Sequence, residues 1–315
     1  MLPLFNSNYR RNIGIHAYLV TMSIVLIGVY LMFFEIILPI EYSIKGNEQS
    51  FTVDGGFASH VITNILMAFT MYIAAQRTIF TRMLFKPVYF ILFVASFYYV
   101  LFISTGTSGQ ILAIILLILF VVQHTGVRSV LFIPILFSLI VGTAIVNKNY
   151  LNLVGNNSSI QFAIDKLQLQ YHHFISTDTA GNNTRPRIYF NTIKLIRDKP
   201  WIGTGVGSFE EALRTKQPDF YKATTIAKRN PHNEFLLITV QLGISGLFLL
   251  LYLFYVQGAS SDKLIKREQK FIAQGLVVLI IIGCMGNSML LDSREGHFWA
   301  FFSALLFSSL SRELE

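Results

Sequence analysis

The side chains that could do chemistry lie in one segment, where two arginines precede a histidine. His232 stands at the start of an apolar run, and a histidine at the mouth of a helix can serve as a general base near neutral pH. The other interpretation is a polar residue that only begins a helix. Arg185 and Arg187 lie upstream, and a guanidinium matches phosphate oxygens with paired donors. The segment therefore contains a candidate base and candidate phosphate ligands.

A glycine-rich turn lies between these two groups. Its glycines occupy alternate positions, at Gly203, Gly205 and Gly207. Such a turn ahead of a helix can present backbone N–H groups to phosphate. It lacks the lysine and the spacing of a P-loop, so a tight turn that needs glycine is the other interpretation. Periodicity predicts an amphipathic helix over 188–198, and the residues from Ser208 to Glu211 are typical of a capping box that starts a second helix.

The composition indicates which elements must position these residues. The chain has 315 residues, of which 53% are hydrophobic and 13% are charged, and its mean hydropathy is +0.54. Soluble chains have about 25% charged residues, so these values exclude an ordinary soluble domain. Membrane spans of roughly 20 residues each would absorb nearly all of the hydrophobic residues. The single cysteine, Cys284, excludes a disulfide within the chain and a metal cluster held by thiolates.

Apolar runs predict an all-α polytopic membrane protein with about eight transmembrane helices and one large extracytoplasmic loop that contains short helices. The predicted spans are 14–39, 57–76, 87–104, 109–123, 129–146, 233–256, 271–291 and 296–310. They divide the chain into an N-terminal bundle over 1–146, the large loop over 147–231 and a C-terminal bundle over 232–315. Within the loop, residues 160–169 can form a short helix, and Trp201 lies where an interfacial aromatic residue is expected.

The distribution of cations predicts the orientation of these spans. With the N-terminus inside, the short cytoplasmic segments hold eleven Lys and Arg residues and the short opposite loops hold two. Cytoplasmic loops are enriched in Lys and Arg, so both termini are predicted to be cytoplasmic. The loop over 147–231 has twelve Lys and Arg against six Asp and Glu. This positive charge outside the membrane favours an anionic ligand or the headgroups of membrane lipids as partners, and no nucleic-acid partner is predicted.

The spacing around His232 resembles the signature of the O-antigen ligase family of bacterial polytopic glycosyltransferases. That signature is His, then Asn, Ser or Gln, nine residues and Gly-x-x-Gly, and here it is complete at His232, Asn233, Gly243 and Gly246. The family also has an arginine, an aromatic residue four positions later, a proline and a G-x-G-x-G turn. The residues in that order here are Arg185, Tyr189, Pro200, Gly203, Gly205 and Gly207. The stretch NSMLLDSREGHFW also resembles the final loop and helix of such ligases.

The resemblance implies a metal-independent transferase without a cofactor, in the bacterial inner membrane, with its catalytic loop and active site on the periplasmic face. The donor would be a glycan on undecaprenyl diphosphate, and the acceptor would be a hydroxyl of lipid A–core. Arg185 would hold the diphosphate and His232 would act as the base. The expected substrate-binding residues are Arg187, Asn233, Gly203, Gly205, Gly207 and Glu295. The adjacent His172 and His173 are interpreted as a loop feature, so no metal site is predicted.

Two departures from the family pattern bear on this expectation. Family members usually have ten to twelve spans, which makes this chain either a short member or one whose start lies further upstream. In the stretch from Ser104 to Gln110, Thr107 stands where the family motif often has an arginine, which removes one candidate phosphate contact. The outer loop with Asp292 and Glu295 is either a solvated turn or part of the acceptor pocket.

Three alternatives stay open at this point. An O-antigen polymerase or a protein O-oligosaccharyltransferase would use the same donor with another acceptor. A transporter for the lipid-linked glycan would favour charged or broken helices within the membrane, and the predicted spans are nearly free of ionisable residues. An inactive relative is the third alternative, and the short N-terminal part and Thr107 favour it.

Overall fold

The described part of the chain is mainly helical. A computed structural model describes residues 7–38, 40–44, 47–53, 60–104, 107–126, 185–224, 228–291 and 293–308. The helices are α1 (Asn8–Phe33), α2 (His60–Phe80), α3 (Lys86–Tyr98), α4 (Thr107–Thr125), α5 (Arg185–Asp198), α6 (Phe209–Lys216), α7 (Pro218–Ala223), α8 (Glu234–Asp262), α9 (Arg267–Gly286) and α10 (Ser293–Phe307). A 3₁₀ turn (Met83–Phe85) precedes α3, and a π-helical turn (Tyr99–Ile103) follows it. Between α1 and α2, the strands β1 (Ile40–Ile44) and β2 (Asn47–Phe51) form an antiparallel hairpin.

Five helical segments among the described residues are long and apolar enough to cross a membrane. They are Asn8–Phe33, Met83–Ile103, Ser108–Thr125, Glu234–Asp262 and Arg267–Gly286. The helices α2 and α10 overlap the predicted spans 57–76 and 296–310 but are not among these five, and α10 has only 15 residues. The predicted span 129–146 and the short helix 160–169 lie outside the described residues. The prediction of several helices that can span a membrane is therefore confirmed, and the number eight stays a prediction.

The first unit of the fold extends over Ile15–Ser176, and within it α2 packs against α3 and α4. Tyrosine hydroxyls from α1 are paired with main-chain carbonyls of its neighbours: Tyr18 donates to Leu66 O at 2.7 Å and Tyr30 donates to Ala95 O at 2.9 Å. A hydroxyl in a membrane helix needs such a protein partner because water is absent. The predicted span 14–39 was displaced by six residues, because α1 begins at Asn8 and ends two residues before Glu35, which lies in a turn.

The second unit comprises Met1–Gly14 and Thr177–Glu315 and contains all of the predicted site residues. Its helices α8 and α9 pack against each other and are joined by residues 263–266. The helices α5, α6 and α7 pack on the first part of α8 around a small apolar core. The buried residues of this core are Ile188, Leu195, Phe209, Leu213, Phe220, Leu237 and Val240. The amphipathic helix predicted over 188–198 is confirmed, since α5 ends before Pro200 and buries one apolar face.

The helix α6 begins where the sequence predicted, but without the predicted capping box. Ser208 precedes the helix, yet its side chain makes no cap hydrogen bond. Its hydroxyl donates to Gly205 O at 2.5 Å instead. Glu211 forms an ion pair with Arg214 at 2.5 Å and does not reach back to Ser208. The capping-box prediction was therefore wrong, because the serine side chain is used by the preceding turn.

Candidate functional site

The turn that leads into α8 holds His232 and Asn233 by local hydrogen bonds. Asn233 caps α8, and its Oδ1 accepts a hydrogen bond from Leu236 N at 3.0 Å. His232 has a φ of 52°, which is uncommon for a residue other than glycine. Its N–H donates to Asn230 Oδ1 at 2.8 Å. These bonds hold the histidine in a backbone conformation that a free chain rarely adopts, and such strained residues cluster at functional sites.

Arg185 joins the start of α5 to this turn and to the end of α9. Its Nη1 donates to His232 O at 3.1 Å and also to Gly286 O. Tyr189 lies one helical turn further along α5, and its hydroxyl donates to Met285 O at 3.1 Å and lies 3.5 Å from Arg185 Nη1. Residues four positions apart share one helix face. The arginine and the aromatic residue of the sequence pattern therefore meet at one point.

The contacts of the Arg185 guanidinium with the described residues leave two of its nitrogens as candidate donors to a ligand. Within the described residues, all of its hydrogen bonds are made by Nη1, and the residue is exposed. A guanidinium has five N–H donors in a planar fork, so Nε and Nη2 can donate together to a phosphate or carboxylate. Because the partners of Nη1 are neutral oxygens, they fix the direction of the side chain without cancelling its charge.

Asn287, which the sequence patterns did not identify, lies beside the imidazole. The distance from His232 Nδ1 to Asn287 Oδ1 is 3.5 Å, at the outer limit of a hydrogen bond. Asn287 directly follows α9, and Asn233 Nδ2 holds that end of α9 by donating to Met285 O at 3.0 Å. The signal in the sequence was a polar residue at the end of an apolar run, within the stretch that resembles the last loop of the family.

Glu234 is a second residue beside this turn that was not among the predicted site residues. Its side chain is 2% exposed, and its Oε2 accepts hydrogen bonds from Leu290 N at 2.9 Å and from Leu291 N at 3.3 Å. A buried carboxylate is stable only when hydrogen bonds replace its hydration. Glu234 therefore fixes the turn between α9 and α10, and this turn carries Asn287.

The other predicted residues have different surroundings. Glu295 is 1% exposed in the first turn of α10, so the interpretation of a solvated turn is wrong for this residue. Arg187 is exposed and lies two residues after Arg185, which places it about 200° further round α5. It therefore extends from a different face of α5 than Arg185. His172 and His173 lie outside the described residues.

The glycine turn packs on α8, and this packing uses its backbone amides. Gly203 N donates to Lys199 O at 3.0 Å. Three further main-chain hydrogen bonds join the turn to α8. They are Thr204 N to Val240 O at 2.8 Å, Gly205 N to Gln241 O at 2.9 Å and Ile244 N to Pro200 O at 2.7 Å. The amides of Gly203 and Gly205 thus donate within the protein, which favours the tight-turn interpretation over presentation to phosphate.

The helix α8 is kinked at Gly243, where φ is 70° and ψ is −168°. Only glycine adopts such a conformation readily. The turn and the kink also need glycine for space, because a Cβ on Gly243 would overlap the carbonyl of Trp201 and a Cβ on Gly203 would overlap the backbone of Gln241. The close neighbour of Gly243 is therefore the backbone of the turn.

The fold and the site define a multi-pass membrane protein in which a loop helix meets the ends of two membrane helices at a polar site. A family model described as O-antigen ligase matches residues 90–251, a range that includes Thr107, Arg185 and His232. The match extends over just over half of the chain, and the protein therefore belongs to the O-antigen ligase family. No curated protein matches the chain in sequence. Membership indicates a glycosyl-transfer enzyme of the O-antigen ligase type, with lipid-linked glycan and lipid acceptor substrates in general.

Proposed function

We propose that the protein transfers a glycan from undecaprenyl diphosphate to a hydroxyl of lipid A–core, without a metal ion or cofactor, at the periplasmic face of the bacterial inner membrane. The observation that best supports this proposal is the 3.1 Å contact between Arg185 Nη1 and His232 O. The contact joins the guanidinium to the backbone of the residue that we assign as the base. Glycosyl transfer from a lipid diphosphate needs both groups, a cation for the leaving group and a base for the acceptor.

In the proposed reaction, the acceptor oxygen forms a bond to the anomeric carbon of the donor sugar. The bond from that carbon to the diphosphate oxygen breaks, and its electron pair leaves with the diphosphate. Nε and Nη2 of Arg185 stabilise the negative charge that develops there. The hydroxyl proton of the acceptor moves to His232. When Nδ1–H is donated to Asn287 Oδ1, the nitrogen that accepts this proton is Nε2.

The remaining predicted residues support this centre in different ways. Asn233 uses both ends of its amide to hold α8 and α9, and so it positions His232. Gly203 and Gly205 shape the turn that packs on α8. Gly207 and Arg187 are exposed, and we assign them to the glycan or the phosphates of the donor. Glu295 is buried, and we assign it to holding the last loop under the acceptor.

The test is a reaction with purified protein in proteoliposomes, supplied with undecaprenyl-diphosphate glycan and lipid A–core. We expect a long-chain product on lipid A–core that forms equally well with a chelator. Lys222→Ala should retain full activity, because Lys222 is an exposed residue on α7. A product that forms only with a glycan or a peptide acceptor would indicate a polymerase or a protein O-oligosaccharyltransferase. No transfer to any acceptor would favour an inactive relative.

The proposed orientation has its own test. The natural cysteine, Cys284, is buried, so a cysteine placed at an exposed position dominates the labelling signal. Lys222→Cys should react with a membrane-impermeant maleimide from the periplasmic side of whole cells. Labelling that requires opened inner membranes would contradict the periplasmic assignment of the site.

A further inference from the structure

The glycine turn carries three large apolar side chains that the protein leaves uncovered. Trp201, Ile202 and Val206 are 71%, 78% and 81% exposed. Their backbone is nevertheless fixed, because the turn is joined to α8 by the main-chain hydrogen bonds described above. An exposed apolar cluster on a rigid turn is typical of a contact surface for a membrane or another apolar partner.

The turn is attached to α8 at the point where the exposed apolar surface of that helix begins. From Glu234 to Gln241, none of the large hydrophobic side chains is exposed. Between Leu242 and Val256, nine of them are exposed, whereas Leu250 and Phe254 are buried. The exposed residues are Leu242, Ile244, Phe248, Leu249, Leu251, Tyr252, Leu253, Tyr255 and Val256. The apolar side chains of the turn therefore continue the surface that α8 offers to lipid.

Counted with their charged ends, the two membrane helices are long enough for this point to lie at the edge of the bilayer. The part of α8 from Ile244 to Asp262 has nineteen residues, or about 28 Å. The helix α9 has 20 residues, or about 30 Å, and the hydrocarbon core is about 30 Å thick. Because residues 263–266 join the two helices at one end, Gly243 and Gly286 lie at nearly the same height at the other end.

We propose that the glycine turn is seated in the membrane interface, with Trp201, Ile202 and Val206 inserted between lipid headgroups and the upper acyl chains. Tryptophan is enriched at this depth. Lys199 and Arg197 lie just before the turn and are exposed, and cations there complement anionic headgroups. This contact with the membrane would hold the end of α9 at the interface. Because Arg185 donates a hydrogen bond to Gly286 O at that end, its side chain would lie at the height of lipid phosphates. The membrane contact itself does not depend on the proposed transferase reaction.

The two tryptophans of the chain, Trp201 and Trp299, allow a direct test. Trp299→Phe leaves Trp201 as the single tryptophan, and its fluorescence is measured in proteoliposomes that contain lipids brominated near the headgroup end of the chains. The control protein is Trp201→Phe, Trp299→Phe, Thr215→Trp, because Thr215 lies on the exposed, charged face of α6. We expect the brominated lipids to quench Trp201 several-fold more than the control tryptophan, and aqueous acrylamide to quench it less. Quenching by lipid that is equal to or below the control would overturn the proposal.

A second variant tests the contact of the turn with the membrane without changing the protein core. Val206→Asp adds a charge at the most exposed of the three positions and touches nothing in the protein core. It should raise the quenching of Trp201 by acrylamide and lower the quenching by brominated lipid in the Trp299→Phe background. If Val206→Asp changes neither the quenching by acrylamide nor the quenching by brominated lipid, and acrylamide still quenches Trp201 weakly, then protein contacts and not lipid cover the turn. In that case the proposal is wrong.

Discussion

The glycine turn and the corner formed by Arg185 and His232 belong to the same unit but use their polar groups in opposite ways. In the turn, the amides of Gly203 and Gly205 donate to backbone carbonyls, and the exposed groups are apolar side chains. At the corner, the backbone carbonyls of His232 and Gly286 accept hydrogen bonds from Nη1 of Arg185, which is an exposed residue. The glycine-rich motif therefore serves packing, whereas the corner holds the ionisable groups to which we assign the proposed reaction.

The strongest test of this contrast is the loss of His232. General-base assistance is worth about 10²–10⁴-fold, so His232→Ala should lower turnover by that order while protein level and donor binding stay nearly normal. His232→Gln keeps a hydrogen-bonding side chain but cannot take the proton, so its turnover should be almost as low. Turnover is measured in the proteoliposome assay. Near-normal transfer by the glutamine variant would assign the histidine to acceptor orientation and catalysis to the phosphate contact alone.

Where Gly243 of α8 packs against the turn, a substitution is expected to lower the stability of the protein and not the rate of the reaction. Gly243→Ala forces a Cβ against the carbonyl of Trp201 at a φ of 70°, and strain and overpacking of this kind cost about 3 kcal/mol. The midpoint of thermal unfolding in detergent should fall clearly. Gly258→Ala is the matched control on the same helix, because nothing lies within 4 Å of a Cβ there. Equal midpoints for the two variants would show that the kink does not depend on the turn.

A substitution of Arg185 tests whether the paired N–H donors of its guanidinium contribute to turnover. Arg185→Lys keeps the charge but removes the paired donors, and a hydrogen bond to a charged group is worth about 1.5–3 kcal/mol. We therefore expect turnover to fall by about tenfold or more. Arg214→Lys is the control, since Arg214 is a surface residue whose ion pair among the described residues is the local one with Glu211. If both variants lose the same activity, the positive charge acts through general attraction of anions.

The smallest effect is expected at Asn287, whose Oδ1 lies 3.5 Å from Nδ1 of His232. A neutral hydrogen bond contributes about 0.5–1.5 kcal/mol, so Asn287→Ala should lower turnover by about three- to tenfold. Asn287→Asp restores the acceptor and adds a negative charge that favours the imidazolium. This variant should recover turnover at high pH and move the acid limb of the pH–rate profile upward. A profile identical to that of the unmodified protein would remove Asn287 from the site.

Sequence patterns predicted those parts of the site whose structure depends on interactions between residues close together in the chain. The periodicity of α5 and the polar start of α8 are short-range features, so α5 was located within three residues of its observed start and Asn233 was found at the helix mouth. The contacts of Asn287 and Glu234 join residues more than fifty positions apart. Such contacts depend on how α8 and α9 pack, and no spacing in the sequence encodes them. The kink at Gly243 was missed for the same reason, because its partner is the distant glycine turn.

The main-chain hydrogen bonds that run in both directions between the glycine turn and the kink of α8 also couple the motions of these two stretches of chain. Thr204 N and Gly205 N depend on carbonyls of α8, and Ile244 N depends on the carbonyl of Pro200. Neither stretch can open without breaking bonds of the other, so the three amides form one cooperative unit. In a hydrogen–deuterium exchange experiment they should exchange together, and the loop amides should be protected as long as those of the membrane helix.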